Sequence, residues 1–192
     1  MTSETLQSTG LALSELTGTY AIDASHSRLG FVARHAMVSK VRGHFDEFEG
    51  TLELDGENPA NSSGRVTIQT ASIDTGNEDR DNHLRSNDFF AMEEYPTIEF
   101  VSTAVEPTDD ESVYRVKGDL TIRGVTKPVE FDVEYLGAAI DPWGNTRVGF
   151  EGSTTVNRKD WNVSWNAALE AGGVLVSEKV TLEFEIAAVK QN

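Results

Sequence analysis

The chain of 192 residues has no cysteine, which excludes disulfides, thiolate nucleophiles and cysteine-held metals and leaves the redox compartment open. Basic residues are scarce: 16 Lys and Arg stand against 32 Asp and Glu, a formal net charge of -16. The acids are spread along the chain and form no tail. Such a surface repels phosphates and anionic headgroups, so nucleic-acid binding and electrostatic docking on a membrane are both disfavoured. The expected target is neutral or reached through an apolar mouth. No apolar run approaches the roughly 18 residues of a membrane-spanning helix. The N-terminal stretch MTSETLQSTGLALSELTG has no Lys or Arg and only the short Leu11-Ala12-Leu13 apolar run. It therefore lacks the pattern of a secretory leader, and the expected location is cytoplasmic. Catalytic signatures are missing too: there is no Gly-x-Ser-x-Gly elbow, His-Glu-x-x-His helix, phosphate loop or dinucleotide fingerprint. Paired acids such as Glu93-Glu94 and Asp109-Asp110 read as solvated turns. The chain is not expected to be an enzyme.

What is present is strand. Hydrophobic residues at 38% with only 5 prolines give a globular composition, long enough for one sizeable core. The organising stretch is His26 to Gly50, which reads as two long strands meeting near Ser39 to Gly43. On period-two alternation Leu29, Phe31, Ala33, His35 and Met37 share one apolar face, and Arg34 lies on the other. His35 is then a hydrogen-bonded core residue or the polar anchor of an interior cavity. Alternation recurs in TLELDG, GRVTIQT, TIEFVS, YRVKGDLTIRG, VEFDVEY, RVGFEG and VTLEFEI, each with one apolar and one polar face, as in antiparallel sheets wet on one side. About eight to ten such strands must fold into two layers or close into a barrel.

Two stretches depart from this pattern. Thr75 with Glu78 suits a capping box, and acids crowd the following turn, so a short helix is expected from about Asn77 to Asp88. Leu84, Phe89 and Phe90 would then plug one end of the sheet structure. In Asn157 to Gly173, Trp161, Val163 and Trp165 alternate as if on a strand, placing two indoles on one face. His26, His35 and His44 recur at nine-residue spacing. With Asp46 or Glu47 they could in principle ligate zinc, but odd spacing sends neighbours to opposite faces, and no metal site is expected. His83 reads as an exposed helix residue. Phe31, Phe45, Phe48, Phe90, Phe100, Phe131, Phe150, Trp161 and Trp165 fall on or beside inward faces. Filling a core is the default use of such residues; a subset lines a pore if there is one.

These motifs together resemble the YceI-like, polyisoprenoid-binding proteins. The matches run from about Gly18 to Lys190: Asp23 with His26-Ser27, Phe31 with His35, Val41-x-Gly43-x-Phe45, Phe48-x-Gly50, His83 to Phe90 (HLRSNDFF), Tyr95-Pro96-Thr97-Ile98-x-Phe100, Gly118 to Thr126 (GDLTIRGVT), and Asn157-Arg158-x-Asp160. Trp161-Asn162 stands where the family often has Phe-Gly. The resemblance implies an all-β, antiparallel, lipocalin-like β-barrel of about eight strands with one short helix, spanning residues 18–192 after a flexible arm over 1–17. It implies a barrel that binds, carries or stores a long-chain isoprenoid or other amphiphilic lipid such as a polyprenol, isoprenoid quinone or fatty amide. The implied ligand-binding residues are Phe31, His35, Phe45, Leu84, Arg85, Asn87, Phe90, Phe100, Phe131, Phe150, Trp161 and Trp165, with no catalytic residue, metal or cofactor beyond the bound lipid. The expected partner is that lipid; a homodimer is compatible with the sequence. The competing readings are a protein-interaction barrel with a filled core and an enzyme acting on a bound lipid.

Overall fold

The computed structural model of the protein describes Leu11 and residues 13–170 and 172–192. The strands are β1 (Gly18–Ile22), β2 (Arg28–His35), β3 (Ser39–Phe45), β4 (Phe48–Leu54), β5 (Ser63–Gln69), β6 (Ile73–Asp74), β7 (Thr97–Pro107), β8 (Val113–Ile122), β9 (Val125–Ile140), β10 (Thr146–Asn157) and β11 (Lys179–Lys190), with one α-helix, α1 (Glu78–Arg85). Neighbouring strands are antiparallel, and β11 closes the sheet by pairing with β1 (Tyr20 opposite Lys190) and with β2 (Val32 opposite Thr181). β1 and β2 are two segments of one bent stave along β11, and β3 and β4 form the next. The short β6 merely tops β3 through His44 and Phe45. The result is a closed antiparallel barrel of 8 staves, which leaves no long edge open along most of its wall.

The β2–β3 hairpin, the β8–β9 turn, α1 and the segment 158–178 gather at one end, here the upper one. The loops β4–β5, β7–β8 and β9–β10 gather at the lower end. Two apolar clusters pack these ends. The upper holds Phe45, Ile73, Phe89, Ile98, Leu120, Trp161 and Val163; the lower holds Leu16, Tyr20, Val148 and Ala188.

The structure corrects several local expectations. The β2–β3 turn falls at 36–38, not at 39–43, because Ala36 and Met37 take left-handed backbone angles (φ 51° and 63°). The helix starts two residues later than the Thr75–Glu78 capping box proposed. Asn77 is its cap, accepting from the Arg80 amide at 2.9 Å, while Thr75 donates to Asp81 through its amide (2.9 Å) and its hydroxyl (2.6 Å). It ends at Arg85, before Asn87. Beyond Asn157, where β10 ends, the strand expected over Trp161 to Trp165 does not form: Arg158–Trp161 make a 3-10 turn that ends with Asn162 at φ 60°. Of the expected N-terminal arm, residues 1–10 and Ala12 lie outside the described residues. Leu16 is buried, and its carbonyl accepts the Tyr20 hydroxyl at 2.9 Å, so the last turn before β1 belongs to the lower core.

The bend between β1 and β2 is held by Asp23. Its carboxylate accepts from the Ser25 hydroxyl (2.6 Å) and amide (3.1 Å) and from Arg147 Nη1 (2.8 Å), and it lies 2.8 Å from His26 Nδ1. The Ser25 hydroxyl first, and then the Arg147 guanidinium, hold this carboxyl far below the usual carboxylate range. A carboxyl whose folded pKa is depressed stabilises the fold above its unfolded pKa and loses that contribution as pH falls through the folded one. Asp23→Asn is therefore expected to cost about 1–2 kcal/mol at pH 7. Urea melts across acidic pH should show that gap to wild type narrowing as the ordinary carboxylate range is passed. A gap independent of pH would remove the charge from the explanation.

Candidate functional site

Aromatic side chains crowd the inward face, yet the barrel axis is hollow. A cavity of about 390 Å³ runs between the two packed ends. Its wall includes Phe31 and Ala33 from β2, Phe100 from β7, Val116 and Leu120 from β8, Val129, Phe131 and Val133 from β9, Phe150 and Val156 from β10, and Val180, Leu182, Phe184 and Ile186 from β11. Six residues of rise on β11 span about 20 Å along the strand, or about 15 Å along the axis at a tilt near 40°.

The cavity survives because rings lie against glycines on the neighbouring staves. Phe31 sits over Gly43, its cross-strand partner, and Phe184 over Gly152, also its partner; Phe100 covers Gly118 on the diagonal. A Cβ on Gly152 would come 2.6 Å from the Phe184 ring, and one on Gly43 or Gly118 would overlap its ring outright. Without those Cβ atoms the rings fold flat on the wall and the centre stays free. Edge-to-face and tilted contacts lock them in place: Phe31 to Phe45 at 6.0 Å, Phe45 to Phe90 at 6.2 Å, Phe100 to Phe131 at 5.5 Å and Phe131 to Phe184 at 5.0 Å.

The upper end is plugged by α1 and by the loops 86–95 and 158–178, whose backbone carbonyls have few ladder partners. Arginines supply the missing donors, each guanidinium offering five N–H groups. Arg85 donates to the carbonyls of Ala71 (2.9 Å) and Ile73 (3.0 Å) and to Asn82 Oδ1 (3.0 Å). Arg123 donates to the carbonyls of Phe89 (2.9 Å) and Asn162 (3.2 Å). Arg158, 7% exposed, donates to the carbonyls of Val163 (2.6 Å), Trp165 (2.9 Å), Ser177 (2.8 Å) and Val176 (3.3 Å). Among the described residues it makes no ion pair; nearby Glu178 is held by Lys159 at 2.7 Å. Burial lowers the Arg158 pKa, but a guanidinium stays charged in any case. It is thus a buried charge at an apolar wall, held by carbonyls, with Glu178 as the nearby acid. Trp161 completes the plug by donating its indole N–H to the Leu120 carbonyl at 2.8 Å.

Of the residues expected to touch a ligand, Phe31, Phe45, Leu84, Phe90, Phe100, Phe131, Phe150 and Trp161 line this cavity. Four do not. His35 is on the expected face but at the last position of β2, exposed above the lumen and bridged to Val176; alternation assigns a face, not a height. Arg85 is spent on the plug. Asn87 and Trp165 sit in a separate polar depression with Asp88, Tyr95, Arg123, Asn162 and Ser164. His83 is not free in solvent either: its ring packs edge-on against Phe89 (5.0 Å) and Trp165 (4.6 Å), and Nε2 meets Asp88 at 2.8 Å. Arg158 lines the cavity although the sequence named it only within the Asn157-Arg158-x-Asp160 match and not among the ligand-binding residues; an arginine in that motif, three residues before Trp161, was the available signal. Hydroxyl-bearing lining is concentrated at the lower end, at Ser62, Ser63, Ser102, Tyr114 and Tyr135.

The histidines do not form the site that their spacing raised. His26 pairs with Asp23 and His44 with Asp46 (2.9 Å). His44, Asp46 and Asp74 bring their ligand atoms within 4.8 Å of one another, but on the barrel exterior, where such acidic groups are common without an ion.

Comparison with known proteins fits this geometry. The profile of the YceI-like domain matches residues 20–188. A UPF0312 protein from Photorhabdus laumondii is 44% identical over 153 residues, 79% of each chain. Burkholderia cenocepacia BcnA superposes with a TM-score of 0.76 at 25% identity, over 86% of this chain and 98% of that one. A polyisoprenoid-binding domain from Saccharophagus degradans, implicated in plant cell wall breakdown, superposes with a TM-score of 0.69 at 15% identity, over 90% of this chain and 98% of that one, and shares the fold.

Proposed function

As the chain belongs to the YceI-like domain family, we propose that its barrel holds a long-chain amphiphilic lipid, an isoprenoid such as a polyprenol or quinone or else a fatty amide, and carries or stores it without chemical change. One observation carries this reading: an apolar lumen of about 390 Å³ whose rings are laid flat on glycines. That volume lies within the range of small-molecule sites. The name of the Saccharophagus degradans neighbour supports the ligand class.

Each methylene taken from water contributes about 0.8 kcal/mol. A tail filling the axis can therefore offset the several kcal/mol lost in immobilising ligand and side chains. Burial of this kind counts methylenes and ignores the headgroup, so discrimination falls to the few polar groups of the lining, the hydroxyls gathered at the lower end. Delipidated protein titrated with a homologous series of straight-chain fatty amides should gain up to about fourfold in affinity per added methylene until the tail fills the axis, then level off. Affinity independent of chain length contradicts the proposal.

A further inference from the structure

We propose that the β2–β3 hairpin docks the barrel on an anionic lipid bilayer. Its tip carries Met37 and Val38, 61% and 82% exposed, beside Val174 at 38% from the turn that Met37 leans over. Ala36 and Met37 occupy left-handed positions that asparagine or glycine would fill at little cost. The turn therefore holds apolar side chains in water where a purely structural turn favours polar ones.

Below the tip the outward face is cationic. Arg34 on β2 and Lys40 and Arg42 on β3 share that face next to the tip, with Arg34 directly opposite Lys40; farther down β2, Arg28 lies opposite Glu185 of β11. Like charges placed so oppose pairing. Between Asp23 and Asp46 there is no acid at all, and among the described residues none of the three cations next to the tip makes an ion pair, although acids outnumber bases two to one. Cations on the free side of β3 also guard an edge strand, but that need does not explain an apolar tip. An exposed apolar tip on a cationic shaft is the pairing that partitions into an anionic interface.

The net charge of -16 does not forbid this, because charges beyond about 8 Å are screened at physiological salt. Glu183 and Glu185 on the outward face of β11 stand opposite Gly30 and Arg28, and the acids of α1 reach β3 only through β6 at His44 and Phe45; both sets are about 20 Å of strand from the tip. Glu170 is the acid of the adjoining turn. A second apolar tip, Trp143 at 80% and Ile140 at 59% exposure, crowns the lower end, but Asp141, Asp55, Asp109, Asp110 and Glu111 share that end and give it the wrong sign. Phe31 and Ala33, which line the lumen, lie on the same strand as the docking tip. The purpose of docking thus rests on the carrier reading; the docking itself does not.

Co-sedimentation of the full chain with phosphatidylcholine vesicles, with and without about one third phosphatidylglycerol, at ~0.15 M salt tests this. Binding is expected to the anionic vesicles only. Arg34→Gln/Lys40→Gln/Arg42→Gln should weaken it about a hundredfold, from roughly fivefold per cation. Met37→Ser/Val38→Ser should weaken it with the salt dependence retained, and Trp143→Ser should leave it intact. Unchanged thermal melts confirm that these exposed substitutions spare the fold. No binding to anionic vesicles, equal binding to both kinds, full binding by both hairpin variants, or loss in Trp143→Ser alone overturns the proposal. Mass spectrometry of lipid in the same preparations separates the two readings. Protein that docks but holds no lipid leaves docking standing and sinks the carrier; lipid-loaded protein that ignores the vesicles does the reverse.

Discussion

Gly43→Val is expected to lower affinity for a long-chain lipid about fiftyfold while the barrel remains folded. The atoms nearest to the added Cβ are the far end of the Phe31 ring and the Thr75 methyl, side-chain atoms that can move. Phe31 has one direction open to it, into the lumen. A ring there displaces about three methylenes of tail, about 2.4 kcal/mol at the usual value per methylene. The double variant Gly43→Val/Phe31→Ala should recover most of the loss, because the second change removes the intruding ring. The same two changes would not compensate each other if Gly43 mattered only to strand pairing. Gly118 and Gly152 are poorer places for the test: an added Cβ there also strikes the carbonyls of Val101 and Asp132, so the sheet itself would have to shift.

Arg158→Met should be the most destabilising single change, by about 3–5 kcal/mol, a large part of the 5–15 kcal/mol that holds a typical domain. Methionine preserves the stem but leaves the carbonyls of Val163, Trp165, Val176 and Ser177 without their donor, and each buried unsatisfied acceptor costs about 1–3 kcal/mol before relaxation. Arg158→Lys should recover only part of this, since an ammonium cannot span four carbonyls in the guanidinium plane. Urea denaturation checks it through the midpoint. A loss below ~1 kcal/mol for Arg158→Met would mean that water already satisfies those carbonyls.

Alternation made the wall legible. The inward set Leu29, Phe31, Ala33 on β2 and Val180, Leu182, Phe184, Ile186 on β11 lines the lumen as the period of two demands. The plug could be anticipated at Leu84, Phe89 and Phe90, because acids ahead of them favour a helix start. Three things were not legible. The β2–β3 turn hides in Ala36-Met37, which carry no turn chemistry. Trp161, Val163 and Trp165 alternate like a strand but are held as a loop by the buried Arg158, and a loop whose bonds go to one side chain leaves no periodic trace. Most of all, the glycine and ring pairs that keep the axis open join residues distant in sequence, Gly152 with Phe184 among them. Each glycine alone reads as a weak spot in a strand; only the register turns it into a seat for a ring.

The measurement closest to the central claim is native mass spectrometry of the purified protein before and after organic extraction, in wild type and Gly43→Val. The hollow-barrel account predicts wild-type ions heavier than the bare polypeptide by the mass of one lipid, return to the bare mass on extraction, and little or no adduct in the variant. Wild-type protein that flies at the bare mass alone, and still takes up no fatty amide or polyprenol when these are supplied, would contradict it.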